Sequence, residues 1–78
     1  MNLPPEMEPL RAALRRRLEI IGDHAWRDRD PAGQLQALQD ISGTIFQLHT
    51  DLQPLLPPRL RHFLESQSYH KALALLEG

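Results

Sequence analysis

The positions of the seven prolines set the strongest limit on what this 78-residue chain can fold into. Proline fixes φ and lacks an amide hydrogen, so it interrupts helices and central strands but suits the first turn of a helix. The prolines divide the chain into proline-free stretches at residues 10–30, 32–53 and 59–78. Apolar residues recur at helical spacing in each stretch, which predicts an all-α protein built around a helical hairpin.

Composition agrees with this fold class. The chain has fifteen leucines and seven alanines but no valine, and leucine and alanine favour helices. It has no cysteine, so disulfides and thiolate metal sites are excluded. A core of this size supplies only about 3–5 kcal/mol, and small folds often gain stability by oligomerisation. We therefore predict a small bundle that dimerisation completes.

Residues 1–8 are predicted to be an extended proline-rich arm and residues 9–78 a single helical domain. Helix 1 should cover about residues 9–28, and Asp30-Pro31 should begin helix 2, which then extends to about residue 53. The apolar side of helix 1 holds Leu10, Ala13, Leu14, Leu18, Ile20 and Ile21. The apolar side of helix 2 holds Leu35, Leu38, Ile41, Ile45, Phe46, Leu48 and Leu52.

The third stretch is predicted to form two helices, at about residues 58–65 and 68–77. On one unbroken helix Leu60 and Leu64 would point nearly opposite to Tyr69 and Leu73, so a break is expected near Gln67, with Ser68 capping the last helix. The segment SQSYHKALALLEG resembles the second half of a tetratricopeptide unit over about a dozen residues. No repeat of the required period follows, so the resemblance implies only a short helix, turn and helix.

Trp26 is the only tryptophan, and its position depends on Gly22. If helix 1 continues through Gly22, Trp26 projects from the polar side and is a candidate contact for another chain. If Gly22 ends the helix in the left-handed conformation, the chain turns Trp26 onto the core. The continuous helix is slightly favoured, because glycine inside a helix costs only about 1 kcal/mol.

The outer side of helix 2 suggests how two chains could pair. Residues 31–58 contain two charged residues, Asp40 and Asp51, and interface cores are depleted in charge. Gly43 on this side allows a close approach by another backbone. We therefore expect a self-associating helical interaction or adaptor module, a homodimer that forms a four-helix or larger bundle and has no catalytic activity. The interface candidates are Trp26, Phe46, Leu55 and Leu56.

A second hypothesis is a small-molecule-binding or enzymatic bundle. Arg17, His24 and His49 fall on the apolar sides of their helices, and together they would form a pocket for an anionic metabolite. Each also has a structural explanation, since histidines in such places often satisfy backbone groups and arginine extends its guanidinium to the surface.

Other classes of function lack their sequence patterns. No metal-ligand spacing, nucleophile motif or phosphate-binding glycine loop is present, so no cofactor and no metal are expected. Nine Lys and Arg balance ten Asp and Glu, and Arg15, Arg16 and Arg17 point in different directions on a helix, which does not favour nucleic acid. No apolar run could span a membrane, and a cytoplasmic protein is the expectation.

Overall fold

The computed structural model describes residues 4–78, and within them the fold is all-α without strands, as predicted. Two single turns of 3-10 helix lie at Pro5–Met7 and Gln53–Leu55. The five α-helices are α1 (Glu8–Gly22), α2 (His24–Arg29), α3 (Pro31–Leu52), α4 (Pro58–Glu65) and α5 (Tyr69–Glu77). Helices α1 and α3 pack side by side as the predicted hairpin, and α5 packs on α1 and α4.

The prediction of an extended arm is wrong for residues 5–8, and residues 1–3 lie outside the described residues. Pro5–Met7 form a 3-10 turn in which the Met7 amide donates to the Pro4 carbonyl at 2.9 Å, and α1 begins at Glu8. The side chain of Met7 is buried in the core. Burial of this apolar side chain stabilises packing of the segment against the domain. The proline positions, on which the prediction relied, give no information about this packing.

The prediction of a continuous helix over residues 9–28 is also wrong, because α1 ends at Gly22. Asp23 has φ −86° and ψ 84°, and its carboxylate accepts a hydrogen bond from the Trp26 amide at 2.9 Å. Asp23 therefore caps a new helix, α2, a role for which aspartate is among the preferred residues. None of the glycines in the described part of the chain has a positive φ, so Gly22 is not a left-handed cap.

Gln34 holds the end of α1 from the facing helix. Its side-chain amide donates to the Ile20 carbonyl at 2.7 Å and to the Asp23 carbonyl at 3.2 Å, and the residue is buried. Each carbonyl also accepts a backbone amide, from Asp23 at 3.2 Å and from Arg27 at 3.1 Å, so Gln34 adds a second donor at the junction of α1 and α2. The predicted cap of α3 is confirmed, since Asp30 accepts from the Gly33 amide at 3.0 Å.

The predicted break between the last two helices is present at Gln67, which has a φ of 59°. The amide of Ser68 donates to the Phe63 carbonyl at 2.8 Å, which closes the end of α4. The Ser68 hydroxyl does not cap α5 as predicted, because it lies 3.2 Å from the Ser66 hydroxyl.

The core lies where α4 and α5 pack against the α1/α3 hairpin, at the end away from α2. Its fully buried side chains are Leu10, Leu14, Ile45 and Leu60, surrounded by Leu56, Leu64, Ala72 and Leu73. At its edge Glu77 pairs with Arg11 and Arg15, which ties the end of α5 to α1. In the described range 4–78 no helix is both long and apolar enough to cross a membrane.

Candidate interaction surface

Four large apolar side chains are exposed on one side of the α1/α3 hairpin. They are Leu18 (49% exposed), Ile21 (41%), Leu35 (56%) and Phe46 (69%). Leu35 and Phe46 are eleven residues apart, which places them on the same side of α3 to within about 20°. We call these four residues together with Tyr69 the apolar face.

Unequal helix lengths explain why Ile21 and Leu35, near the α2 end of the hairpin, are uncovered. Helices α1 and α3 contain 15 and 22 residues, whereas α4 and α5 contain only 8 and 9. At 1.5 Å per residue, the two short helices cannot cover the full length of the hairpin. The apolar stripes of α1 and α3 therefore extend past the core and end on the surface.

Tyr69 joins the α1 and α3 parts of the apolar face. A cavity of about 280 Å³ on one side is lined by Leu18, Ile21 and Tyr69. A second cavity of about 180 Å³ is lined by Phe46, His49 and Tyr69. Since Tyr69 and Gln67 line both cavities, the two form one grooved surface.

Arg17 provides a polar group inside this surface. Its guanidinium carbon lies 4.7 Å from the centre of the Tyr69 ring, a cation–π contact. Its Nε atom is buried, and within residues 4–78 it donates to no acceptor. A buried donor without a partner costs free energy.

Gln67, which lines both cavities, has a strained backbone conformation. Its φ of 59° lies in the left-handed region, where a non-glycine residue costs roughly 1–2 kcal/mol. Glycine would close the turn between α4 and α5 without that cost. Strained residues cluster at functional sites, and Gln67 borders both cavities beside Tyr69.

The four predicted interface residues lie in different environments. Phe46 belongs to the apolar face, and Leu55 is 55% exposed beyond the end of α3. Trp26 lies on α2 and is half-buried, so it is neither fully exposed to solvent nor part of the core. Leu56 does not support the prediction, because it is buried in the chain's own core and cannot contact another chain.

The predicted pocket of Arg17, His24 and His49 is not formed. Arg17 lines the larger cavity beside Tyr69 and His49 lines the smaller one. His24 is exposed on α2, where its Nδ1 atom lies 3.0 Å from the guanidinium of Arg27. The break at Asp23 starts a new helix, so His24 does not continue the apolar side of α1 on which the prediction relied.

The polar side of α3 satisfies its own hydrogen bonds. Gln36 donates to Asp40 and Gln47 donates to Asp51, each at 2.9 Å. The hydroxyls of Thr44 and Thr50 donate to carbonyls one turn back on the same helix. A partner gains little from such groups, so the interaction surface is better placed on the apolar face. The periodicity of the sequence identified the apolar sides of α1 and α3. It could not show which of their residues α4 and α5 would leave uncovered.

Comparison of this chain with protein-family models, with curated proteins and with solved structures gave no match.

Proposed function

We propose that this protein is a small helical interaction module that self-associates through its apolar face. The observation that carries the proposal is the concentration of Leu18, Ile21, Leu35 and Phe46 on one side of the hairpin. Contiguous exposed apolar surface is uncommon on monomers and marks sites of association. Burial of each large side chain is worth about 1.5–3 kcal/mol.

A second copy of the chain is the partner that the charge pattern favours. The apolar face lies between α1 and a helix whose only charged residues, Asp40 and Asp51, are on its other side. In a symmetric dimer the same surface meets itself, so a surface with few charges avoids like-charge repulsion.

The size of the molecule is compatible with a stable dimer. The Cα positions extend over 39 by 23 by 21 Å, and the accessible surface is 5219 Å². A specific interface buries about 800 Å² on each partner, a minor part of that surface. Association would also add stability to a domain whose core is small, because binding of the folded state shifts the unfolding equilibrium.

Sedimentation velocity over a range of micromolar concentrations tests the proposal. We expect a species of twice the 9.0 kDa chain mass that dissociates on dilution. A folded 9.0 kDa monomer at the highest concentration would refute the proposal.

Two leucines of nearly equal exposure form a matched pair of variants. Leu35→Ser removes apolar surface from the apolar face, and we expect it to weaken association by about tenfold or more. Leu55→Ser changes an equally exposed leucine at the far end of α3, and we expect no change. Phe46→Ser should act like Leu35→Ser. If Leu55→Ser dissociated the dimer and Leu35→Ser did not, the proposal that the dimer interface is the apolar face would be wrong.

A further inference from the structure

Helices α4 and α5 form a groove that is separate from the apolar face. Each helix contributes three residues at the spacing i, i+3 and i+4, so each set lies on one side of its helix. The cavity between them has a volume of about 670 Å³, within the usual range for small-molecule sites. We call it the basic groove, and its lining residues are Arg59, His62, Phe63, Lys71, Ala74 and Leu75.

The charges around the basic groove are all of one sign. Its lining contains Arg59, Lys71 and the titratable His62, but no carboxylate. Across residues 4–78 the ion pairs use Arg11, Arg15 and Arg16 on α1, whereas Arg59 and Lys71 form none. The two cations therefore face the cavity without a counter-charge from the protein.

Fold stability does not account for the positions of these cations. Arg59 and Lys71 lie in the first turns of α4 and α5, and neither first turn contains an acidic residue. The helix dipole places partial positive charge at that end, so cations there are unfavourable and anions are stabilised. An anion bound in the groove would supply the counter-charge that Arg59 and Lys71 lack.

The remaining lining residues are apolar. They are Phe63, Ala74 and Leu75, and the guanidinium carbon of Arg59 lies 5.8 Å from the centre of the Phe63 ring. This contact holds the guanidinium beside the aromatic surface. The groove thus combines positive charge with apolar surface that a hydrocarbon or aromatic group could cover.

We propose that the basic groove binds an amphipathic anion. A phosphate or carboxylate head group is held by Arg59 and Lys71, with His62 beside them, and the apolar part of the ligand lies on Phe63 and Leu75. None of the groove residues lines the cavities beside Tyr69, so this site is independent of self-association.

NMR titration of the isotope-labelled full chain with four probes tests the proposal. Hexyl phosphate and hexanoate carry both a charge and an apolar chain, whereas 1-hexanol lacks the charge and inorganic phosphate lacks the chain. We expect amide shifts at residues 58–63 and 71–75 with the first two probes, and at least tenfold weaker binding of the last two. The stronger of the first two probes then identifies the preferred head group.

Three variants separate binding from folding. Arg59→Gln and Lys71→Gln should each weaken hexyl phosphate binding by about fivefold, the usual upper limit for one exposed charge contact. Arg29→Gln is the matched control, because Arg29 is also an exposed arginine without an ion pair but lies on α2. Lys71→Gln should leave the melting temperature unchanged or raise it, since it removes a cation from a helix N-terminus.

Three results would overturn the proposal. One is equal binding of 1-hexanol and hexyl phosphate, and another is a set of amide shifts that centres on Leu18 and Phe46. The third is an equal loss of affinity in Arg29→Gln and Lys71→Gln. If Lys71→Gln lowered both the melting temperature and the affinity for hexyl phosphate, Lys71 would stabilise the fold rather than bind the ligand.

Discussion

The two ends of the α1/α3 hairpin are stabilised in different ways. At one end, α4 and α5 cover the hairpin, and nearly all buried apolar side chains lie there. At the other end, beside α2, Ile20 and Gln34 are buried while Ile21 and Leu35 are exposed. We call these the covered end and the open end.

The difference shows that stability and interaction surface can occupy separate parts of a very small domain. Apolar burial, worth about 25 cal/mol per Å², stabilises the covered end. The open end instead depends on hydrogen bonds that satisfy the ends of helices, made by Asp23, Asp30 and Gln34. Because few apolar groups are needed to hold the open end together, its leucines remain available to a partner.

Substitutions of leucine should show the largest contrast between the two ends. Leu60 is fully buried at the covered end, and Leu60→Ala should lower the free energy of unfolding by about 2–5 kcal/mol. That loss is comparable to the whole stability of such a core, so the variant should be largely unfolded. Leu35→Ala at the open end, where the leucine is 56% exposed, should change the stability of the dilute protein by less than about 1 kcal/mol. Urea denaturation followed by circular dichroism measures both, and similar losses would contradict the division into two ends.

Loss of Gln34 should be the most damaging polar change at the open end. Gln34→Ala removes the side-chain hydrogen bonds to the Ile20 and Asp23 carbonyls, which keep their backbone donors, and this should cost about 0.5–1.5 kcal/mol. Gln36→Ala is the control, because the Gln36 side chain is exposed and donates only to Asp40 on its own helix. Thermal unfolding of both variants distinguishes them. Equal melting temperatures would show that Gln34 does not hold the end of α1.

Substitution of Gln67 by glycine should stabilise the fold but weaken dimerisation. Gln67→Gly relieves the left-handed backbone at φ 59° and should raise the free energy of unfolding by about 0.5–1 kcal/mol. It also removes a side chain from both cavities of the apolar face, so dimerisation should weaken. Gln53→Gly, at a helical φ of −49°, should be destabilising instead. Urea denaturation at low concentration and sedimentation at high concentration measure the two effects, and a less stable Gln67→Gly would contradict the strain argument.

Acidification should have the smallest effect and should act at the covered end. Hydrogen bonds from Arg15 and Arg11 lower the pKa of Glu77 below its ordinary value of 4.5, and Arg11 lowers the pKa of Glu8. The ion pairs therefore stabilise the fold above the unfolded pKa, and this contribution is lost as the pH falls through the lower folded pKa values. The effect is modest because the pairs are exposed to solvent.

Melting temperatures between about pH 6 and pH 3 should therefore decline less in Glu77→Gln than in the unmodified protein. Glu65→Gln is the matched control, since Glu65 is exposed and, among the described residues, has no ion pair. It should leave the decline unchanged. An identical pH dependence in Glu77→Gln and the unmodified protein would show that the Glu77 ion pairs add nothing.

The local signals in the sequence account for most of the helix boundaries. Asp30-Pro31 began α3, and the opposed apolar positions in the last stretch located the turn at Gln67. The break after Gly22 was missed because glycine is tolerated in a helix, whereas the competing cap by Asp23 and the support from Gln34 depend on three-dimensional neighbours. For the same reason His24, which helical angles placed on the apolar side of helix 1 with Arg17, instead begins α2 and is exposed.

The sequence by itself determined the all-α class, the hairpin and the apolar stripes along α1 and α3, because proline positions and helical periodicity are local properties. It did not determine which parts of those stripes are buried. That depended on where α4 and α5 pack and on how far two short helices reach. Only the tertiary structure therefore showed that Leu56 belongs to the core while Leu18, Ile21 and Leu35 remain on the surface.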